Sequence, residues 1–114
     1  MAARAAAPEI TPAQAAFYQS RNESDRVRFL IRLSKTGMHD LAAELLKRFP
    51  LQGAHAANRT LFIEGLILEG RKDLKGASRK FRDALASDPS LTLVRTELAQ
   101  VLMQMNEPDS AKHH

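Results

Sequence analysis

The chain has 114 residues and a mass of 12.7 kDa, which suffices for one small domain and excludes a multidomain enzyme. With 44% hydrophobic and 26% charged residues it can build a core, unlike disordered chains. The formal net charge of +4 permits an acidic partner without requiring one. The absence of cysteine excludes disulfides and thiol chemistry, and no apolar run reaches the roughly 18 residues of a membrane helix.

Two interpretations of the first residues, MAARAAAP, stay open. Ala3-Arg4-Ala5 and Ala5-Ala6-Ala7 have the small-residue pattern that ends a secretory signal, but the apolar segment that should precede it is missing. Residues 1–22 are therefore predicted to be a flexible N-terminus followed by a short capping helix. The alternative is a start inside a signal peptide.

Helical spacing of apolar residues runs through the chain, and strand-like alternation is missing, so we predict an all-α fold. Thr11-Pro12-Ala13-Gln14 predicts the first helix, with a hydroxyl N-cap, proline at the first position and a capping box. Apolar residues between 27 and 33 predict a second helix, which Gly37 ends. Those between 41 and 49 predict a third, which Pro50 ends.

The second half continues in the same way. Asn58 is predicted to cap a helix that Gly70 ends, and the stripe from Leu74 to Leu85 predicts the next helix. Apolar residues from 91 to 105 predict a further helix ended by Pro108, and residues 109–114 are typical of the first turn of another. The expected architecture is five to six antiparallel helices with short loops.

Three residue pairs recur at a spacing of 34: Ala77 with Ala111, Gly65 with Ala99, and Leu68 with Leu102. The unit Gly65-x2-Leu68-x8-Ala77-x3-Phe81-x2-Ala84-x4-Pro89 resembles the tetratricopeptide repeat. This resemblance implies a right-handed helical repeat with a degenerate pair at 23–55 and a well-matched pair at 56–89. Residues 90–114 then supply the first helix and the truncated start of the second helix of a further repeat.

A narrower resemblance begins at Phe81-Arg82 and includes the run Val94-Arg95-x-Glu97-Leu98-Ala99. It is similar to the N-terminal repeat region of the surface lipoprotein assembly modifiers, whose periplasmic repeats precede an outer-membrane β-barrel. The 114 residues contain no such barrel. The resemblance implies the periplasm, with the cytoplasm as the alternative.

Catalytic or metal-binding patterns are missing, so we expect no enzyme activity, no metal and no cofactor. The histidines, His39, His55, His113 and His114, lack the i, i+4 spacing that places two imidazoles on one helix face. A basic stripe is predicted on one helix face and consists of Lys72, Lys75, Arg79 and Arg82. The aromatic residues fall mostly at core positions, which argues against nucleic-acid binding and favours a solvated outer face.

Family geometry places the first helix of each pair along a concave groove and predicts its residues by repeat position. They are Val27, Ile31, Arg59, Phe62, Leu66, Glu69, Thr96, Gln100 and Met103. Such an apolar groove can bind an extended or helical segment of another protein. The alternative is that the N-terminal helix, with Phe17 and Tyr18, covers Val27, Ile31 and Phe62 itself.

The first alternative to a binding module is a structural or truncated repeat fragment without its own client. A basic module for nucleic acid or a membrane surface is the less favoured alternative. Separately, an uncapped last helix would leave Leu98, Leu102 and Met105 without cover, which predicts a homodimer.

Overall fold

The computed structural model describes residues 9–112, with side chains through residue 106, and within them it contains helices and no strand. The all-α prediction is confirmed. The helices are α1 (Pro12–Ser20), α2 (Glu23–Lys35), α3 (His39–Arg48), α4 (Ala56–Gly70), α5 (Leu74–Ser87) and α6 (Thr92–Lys112). The segment MAARAAAP and the pair His113 and His114 lie outside the described residues, as does the signal-peptide interpretation.

Local side-chain chemistry starts three of these helices. The Gln14 backbone N–H donates to Thr11 Oγ1 at 3.1 Å, and the Thr11 N–H donates to Gln14 Oε1 at 2.9 Å, which forms the predicted capping box. Asn22 caps α2 and Asp73 caps α5 with one hydrogen bond each, in which the side chain accepts the backbone N–H of Asp25 and of Gly76. Gly37, with φ of 87°, follows the end of α2, as predicted.

The predicted start of α4 at Asn58 is wrong. The helix begins at Ala56, and its N-cap residue is His55, whose side chain makes no capping hydrogen bond. Gly53 adopts a φ of 97°, and its carbonyl accepts the Ala56 N–H at 3.2 Å. This backbone turn starts the helix before the residue with the better capping side chain is reached.

The predicted helix end at Pro108 is also wrong, because α6 runs without interruption from Thr92 to Lys112. A proline inside a helix removes one backbone donor and usually kinks or ends the helix. No described contact explains why α6 continues through Pro108, and residues 109–112 belong to α6 rather than to a new helix.

Two clusters of buried apolar side chains form the core, and α4 contributes to both. Ile63 and Ile67 join a first cluster with residues of α1, α2 and α3. Phe62 and Leu66, on a different side of α4, join a second cluster with α5 and α6. Because one helix serves both clusters, α4 fixes the position of the first helices relative to the last ones.

The contact between α4 and α5 is built from a small and a large residue. A Cβ placed on Gly65 of α4 would overlap the ring of Phe81 of α5, so the ring occupies the space that a side chain would need. Both Phe81 and the neighbouring Ala77 are fully buried. Gly65, Ala77 and Phe81 belong to the sequence unit that resembles the tetratricopeptide repeat, and the repeat architecture as a whole stays a prediction.

Helix α1 packs its single buried residue, Tyr18, into the first cluster. The Tyr18 ring lies 5.9 Å from Phe49 and 6.3 Å from Phe29, centre to centre. The Arg26 guanidinium donates to the carbonyl oxygens of Tyr18 and Gln19. These contacts bind α1 to α2 and the end of α3.

Candidate functional site

A cavity of about 460 Å³ opens between α2, the start of α4 and the start of α6. We call it the α2–α6 groove. Its floor is apolar and consists of Val27, Ile31, Phe62, Leu91 and Val94. Its rim is polar and consists of His55, Asn58, Arg59, Asp88, Ser90 and Thr92. Leu93 also lines the groove, with 54% of its surface exposed.

Packing in the second cluster holds the floor of the groove in place. The ring of buried Phe62 lies 5.8 Å from the ring of Phe81. Val27 and Ile31 are half-buried, so part of each side chain faces the cavity. No residue of α1 is among those that line the groove, and α1 therefore does not occupy it. Burial of an apolar side chain in the groove would favour binding by about 25 cal/mol per Å² of apolar surface removed from water.

The rim carries a fixed negative charge. The backbone N–H and the hydroxyl of Ser90 both donate to Asp88 Oδ1, at 3.1 and 2.6 Å. These hydrogen bonds hold the pKa of the Asp88 carboxyl below its usual range. Half-buried Arg59 supplies a positive charge on α4. The groove can therefore orient a bound segment by charge while its floor binds apolar side chains.

Four of the nine predicted groove residues line this cavity: Val27, Ile31, Arg59 and Phe62. Leu66 and Glu69 line a second, polar cavity of about 390 Å³ with Lys35, Lys72 and Gln104. The other three, Thr96, Gln100 and Met103, are exposed on α6 and line neither cavity.

The orientation of α6 about its own axis separates these three residues from the groove. Among the α6 side chains that the structure describes, through residue 106, Val94, Glu97 and Val101 are the buried ones. Thr96 follows Val94 by two positions, which corresponds to about 200° around a helix. The three predicted residues therefore point away from the core and do not line the α2–α6 groove.

The second cavity joins Glu69, a predicted groove residue, to Lys35 and Gln104, which the sequence did not predict as site residues. The Gln104 amide donates to Glu69 Oε2 at 3.1 Å, and the Lys35 ammonium contacts Glu97 Oε2. Burial raises the pKa of the Glu69 carboxyl, and the charge of Glu97 raises it further. The sequence around Glu97 could have indicated this ion pair. Val94, Leu98 and Val101 place Glu97 on an apolar helix face, and a charged group buried there needs a partner.

Three of the four residues of the predicted basic stripe lie on α5. Lys75, Arg79 and Arg82 are exposed there, whereas Lys72, also exposed, lies in the turn before the helix with a φ of 69°. Lys80, beside the stripe on α5, pairs with Glu64 at 3.0 Å. Within the described residues, no three His, Asp or Glu side chains are grouped to hold a metal ion. None of the helices between residues 9 and 112 combines the length and hydrophobicity that crossing a bilayer requires.

The apolar side chains of the last helix are better covered than the sequence predicted. Leu98 and Met105 are partly buried against the second cluster, so the helix is not without support there. Leu102 is half-buried, and Met103 is the most exposed large apolar residue on α6, at 57%.

No family model, curated protein or solved structure matches this chain. Its function is therefore inferred from its own residues and their geometry.

Proposed function

We propose that the chain is a non-enzymatic, tetratricopeptide-like module that binds a short segment of another protein in the α2–α6 groove. The observation that carries the proposal is the open apolar floor formed by Val27, Ile31 and Phe62 beneath a polar rim. A volume of about 460 Å³ falls within the roughly 300–1,000 Å³ of binding pockets. The bound segment buries apolar side chains on the floor and pairs polar groups with Arg59 and Asp88.

Two features support the repeat-like part of the proposal. The described helices contain two consecutive pairs, α2 with α3 and α4 with α5, and α6 packs on α5. The contact between Gly65 and Phe81 joins two positions of the repeat unit. A right-handed continuation of these pairs would place further binding surface beside α6.

The narrower proposal is that the chain acts in the periplasm as the N-terminal part of a surface lipoprotein assembly modifier, and the run Val94-Arg95-x-Glu97-Leu98-Ala99 supports it. A lipoprotein client would then occupy the groove. Titration with a purified lipoprotein tests this proposal directly. Binding that Leu93→Asp abolishes would support it, and a lipoprotein that does not bind would contradict it.

A matched pair of variants on α6 tests the binding groove. Leu93 and Met103 are similarly exposed, but only Leu93 lines the groove. Peptides enriched from a displayed random library should carry apolar side chains and bind in solution. Leu93→Asp should weaken this binding by about tenfold or more, which corresponds to ~1.4 kcal/mol. Met103→Asp should leave it unchanged.

Equal losses of peptide affinity in Leu93→Asp and Met103→Asp would contradict binding in the groove. A failure to enrich any peptide would favour the alternative that the chain is a structural fragment. Phe62 is unsuitable for this test. Its ring packs against Phe81 in the core, so a charge at this position would unfold the second cluster rather than report on binding.

Self-association through α6 is a second candidate, which the exposed Met103 and half-buried Leu102 favour. A dimer would cover these side chains. Light scattering at increasing protein concentration should then show a dimer for the wild-type chain and a monomer for Met103→Asp. A wild-type monomer at the highest concentration would contradict this candidate.

A further inference from the structure

A second surface combines aromatic rings with arginines where α1 meets α2. It forms a shallow cavity of about 250 Å³ lined by Phe17, Arg21, Asp25, Arg28, Phe29 and Arg32. We call this surface the Phe–Arg patch. It shares no residue with the α2–α6 groove.

The patch and the groove lie on different faces of α2. Residues advance by about 100° around a helix, so Asp25, Phe29 and Arg32 share one face. Val27 and Ile31 lie more than about 100° away from the centre of that face. A partner on the patch therefore leaves the groove open.

The aromatic part of the patch is exposed but held in place. Phe17 keeps 48% of its surface accessible, and its ring lies edge-on to Phe29 at 5.6 Å. The Arg21 guanidinium lies 4.9 Å from the centre of the Phe17 ring. One face of the ring is therefore already covered, and the angle of 63° between the two rings leaves no flat surface on which successive bases could stack.

The charged part of the patch has an excess of arginine. Three guanidinium groups face one carboxylate, Asp25, whose contact with Arg28 is a long 3.8 Å. Arg28 is 80% exposed. Among the described residues, neither Arg21 nor Arg32 has an acidic side chain within 4.0 Å. Unpaired guanidinium groups suit carboxylates, because each can donate two parallel hydrogen bonds.

We propose that the Phe–Arg patch binds an acidic protein segment, with carboxylates on Arg28 and Arg32 and an apolar side chain against Phe17 and Phe29. Charge complementarity favours an acidic partner. A protein segment is favoured over nucleic acid because Arg21 already covers one face of the Phe17 ring and because the rings of Phe17 and Phe29, inclined by 63°, form no flat surface for successive bases. This site is independent of the proposed function of the groove.

A labelled peptide of about 12 residues, built from glutamate with interspersed leucine, is the probe for the test. Its binding to the full chain is followed by fluorescence anisotropy at about 50 mM salt, where surface charges are weakly screened. Arg32→Glu should weaken binding by about tenfold or more, given the strength of charge-assisted pairs. The matched control is Arg82→Glu, which makes the same change in net charge on the exposed face of α5 and should change the Kd less than about twofold.

Two further comparisons separate the aromatic contribution from general charge attraction. Phe17→Ala and a probe with serine in place of leucine should each weaken binding several-fold. Arg32→Gln removes the charge without reversing it and should show an intermediate loss, with an unchanged circular dichroism spectrum as the check on folding.

Three outcomes would overturn the proposal: no peptide binding, equal losses for Arg32→Glu and Arg82→Glu, or tighter Arg32-dependent binding of an oligothymidylate of similar length. The last outcome would assign the patch to nucleic acid instead.

Discussion

The Lys35 ammonium lies 2.5 Å from Glu97 Oε2 and joins α2 to α6 across 62 positions of the sequence. The two ends of this ion pair differ in their surroundings. The Glu97 side chain is 4% exposed, and its second oxygen, Oε1, has no hydrogen-bond partner among the described protein atoms. Lys35 is 46% exposed and can reach water.

This asymmetry predicts unequal effects of removing either partner. Lys35→Ala should lower the free energy of unfolding by about 1–3 kcal/mol, because it leaves a buried carboxylate unpaired. Glu97→Leu should stay within about 1 kcal/mol of wild type, because the freed lysine can be hydrated. Urea unfolding measures the free energy of unfolding of both variants. Lys47→Ala, at an exposed lysine, is the control and should change this free energy little. Equal effects of the two variants would contradict the asymmetry.

The approach of Gly65 to Phe81 predicts the effect of one added methyl group. Alanine usually stabilises a helix relative to glycine by about 1 kcal/mol. Gly65→Ala should instead destabilise by about 1–3 kcal/mol, because its Cβ would overlap the buried Phe81 ring. Thermal or urea unfolding gives the sign of the change in stability.

A second substitution identifies the cause of that loss. Phe81→Leu in the Gly65→Ala background should cost less than Phe81→Leu alone, because the smaller side chain relieves the overlap. Purely additive effects would show that the ring is not the obstacle.

The raised pKa of Glu69 predicts a pH-dependent stability. A carboxyl whose pKa is higher in the folded state favours folding when protonated, so this contribution is lost as the pH rises through that pKa. Glu69→Gln should therefore raise the melting temperature at pH 7, with the gain disappearing well below pH 4.5, the ordinary value. The amide oxygen can still accept the bond from Gln104.

Asp83→Asn, on the exposed surface of α5, is the control for the loss of one negative charge. It should shift the melting temperature little at either pH. If Glu69→Gln lowers the melting temperature at pH 7, then pairing with the nearby lysines outweighs the burial.

Tyr18, the chain's single tyrosine, predicts an alkaline transition. Burial raises its pKa to about 12 from 10.0. The folded state favours the neutral phenol, so stability is lost as the pH rises through this range. The absorbance of the Tyr18 phenolate, followed at increasing pH, should show that Tyr18 ionises at a higher pH in the folded protein than in urea, where it should ionise near pH 10.

Tyr18→Phe should be at least as stable as wild type at pH 7 and should lack this alkaline loss, because the buried Tyr18 hydroxyl has no hydrogen-bond partner among the described residues. Tyr18→Ala should cost about 3–5 kcal/mol, as expected for removal of a buried aromatic ring. A less stable Tyr18→Phe would show that the hydroxyl is hydrogen-bonded, for instance to water.

Much of the fold could be predicted because helix signals act over three or four residues. Thr11 and Gln14 define the start of α1, and Gly37 defines the end of α2, through contacts with immediate neighbours. The start of α4 could not be predicted from side chains, because the backbone turn at Gly53 begins the helix ahead of Asn58. The passage of α6 through Pro108 likewise departs from the usual effect of proline.

The sequence by itself determined the helical class and most helix boundaries, because these depend on local periodicity and on capping and turn residues. Only the tertiary structure decided which residues share the groove. Burial of Val94, Glu97 and Val101 sets the rotation of α6, which turns Thr96, Gln100 and Met103 to the surface. That rotation depends on contacts between residues far apart in the chain, such as Lys35 and Glu97, and repeat spacing does not encode them.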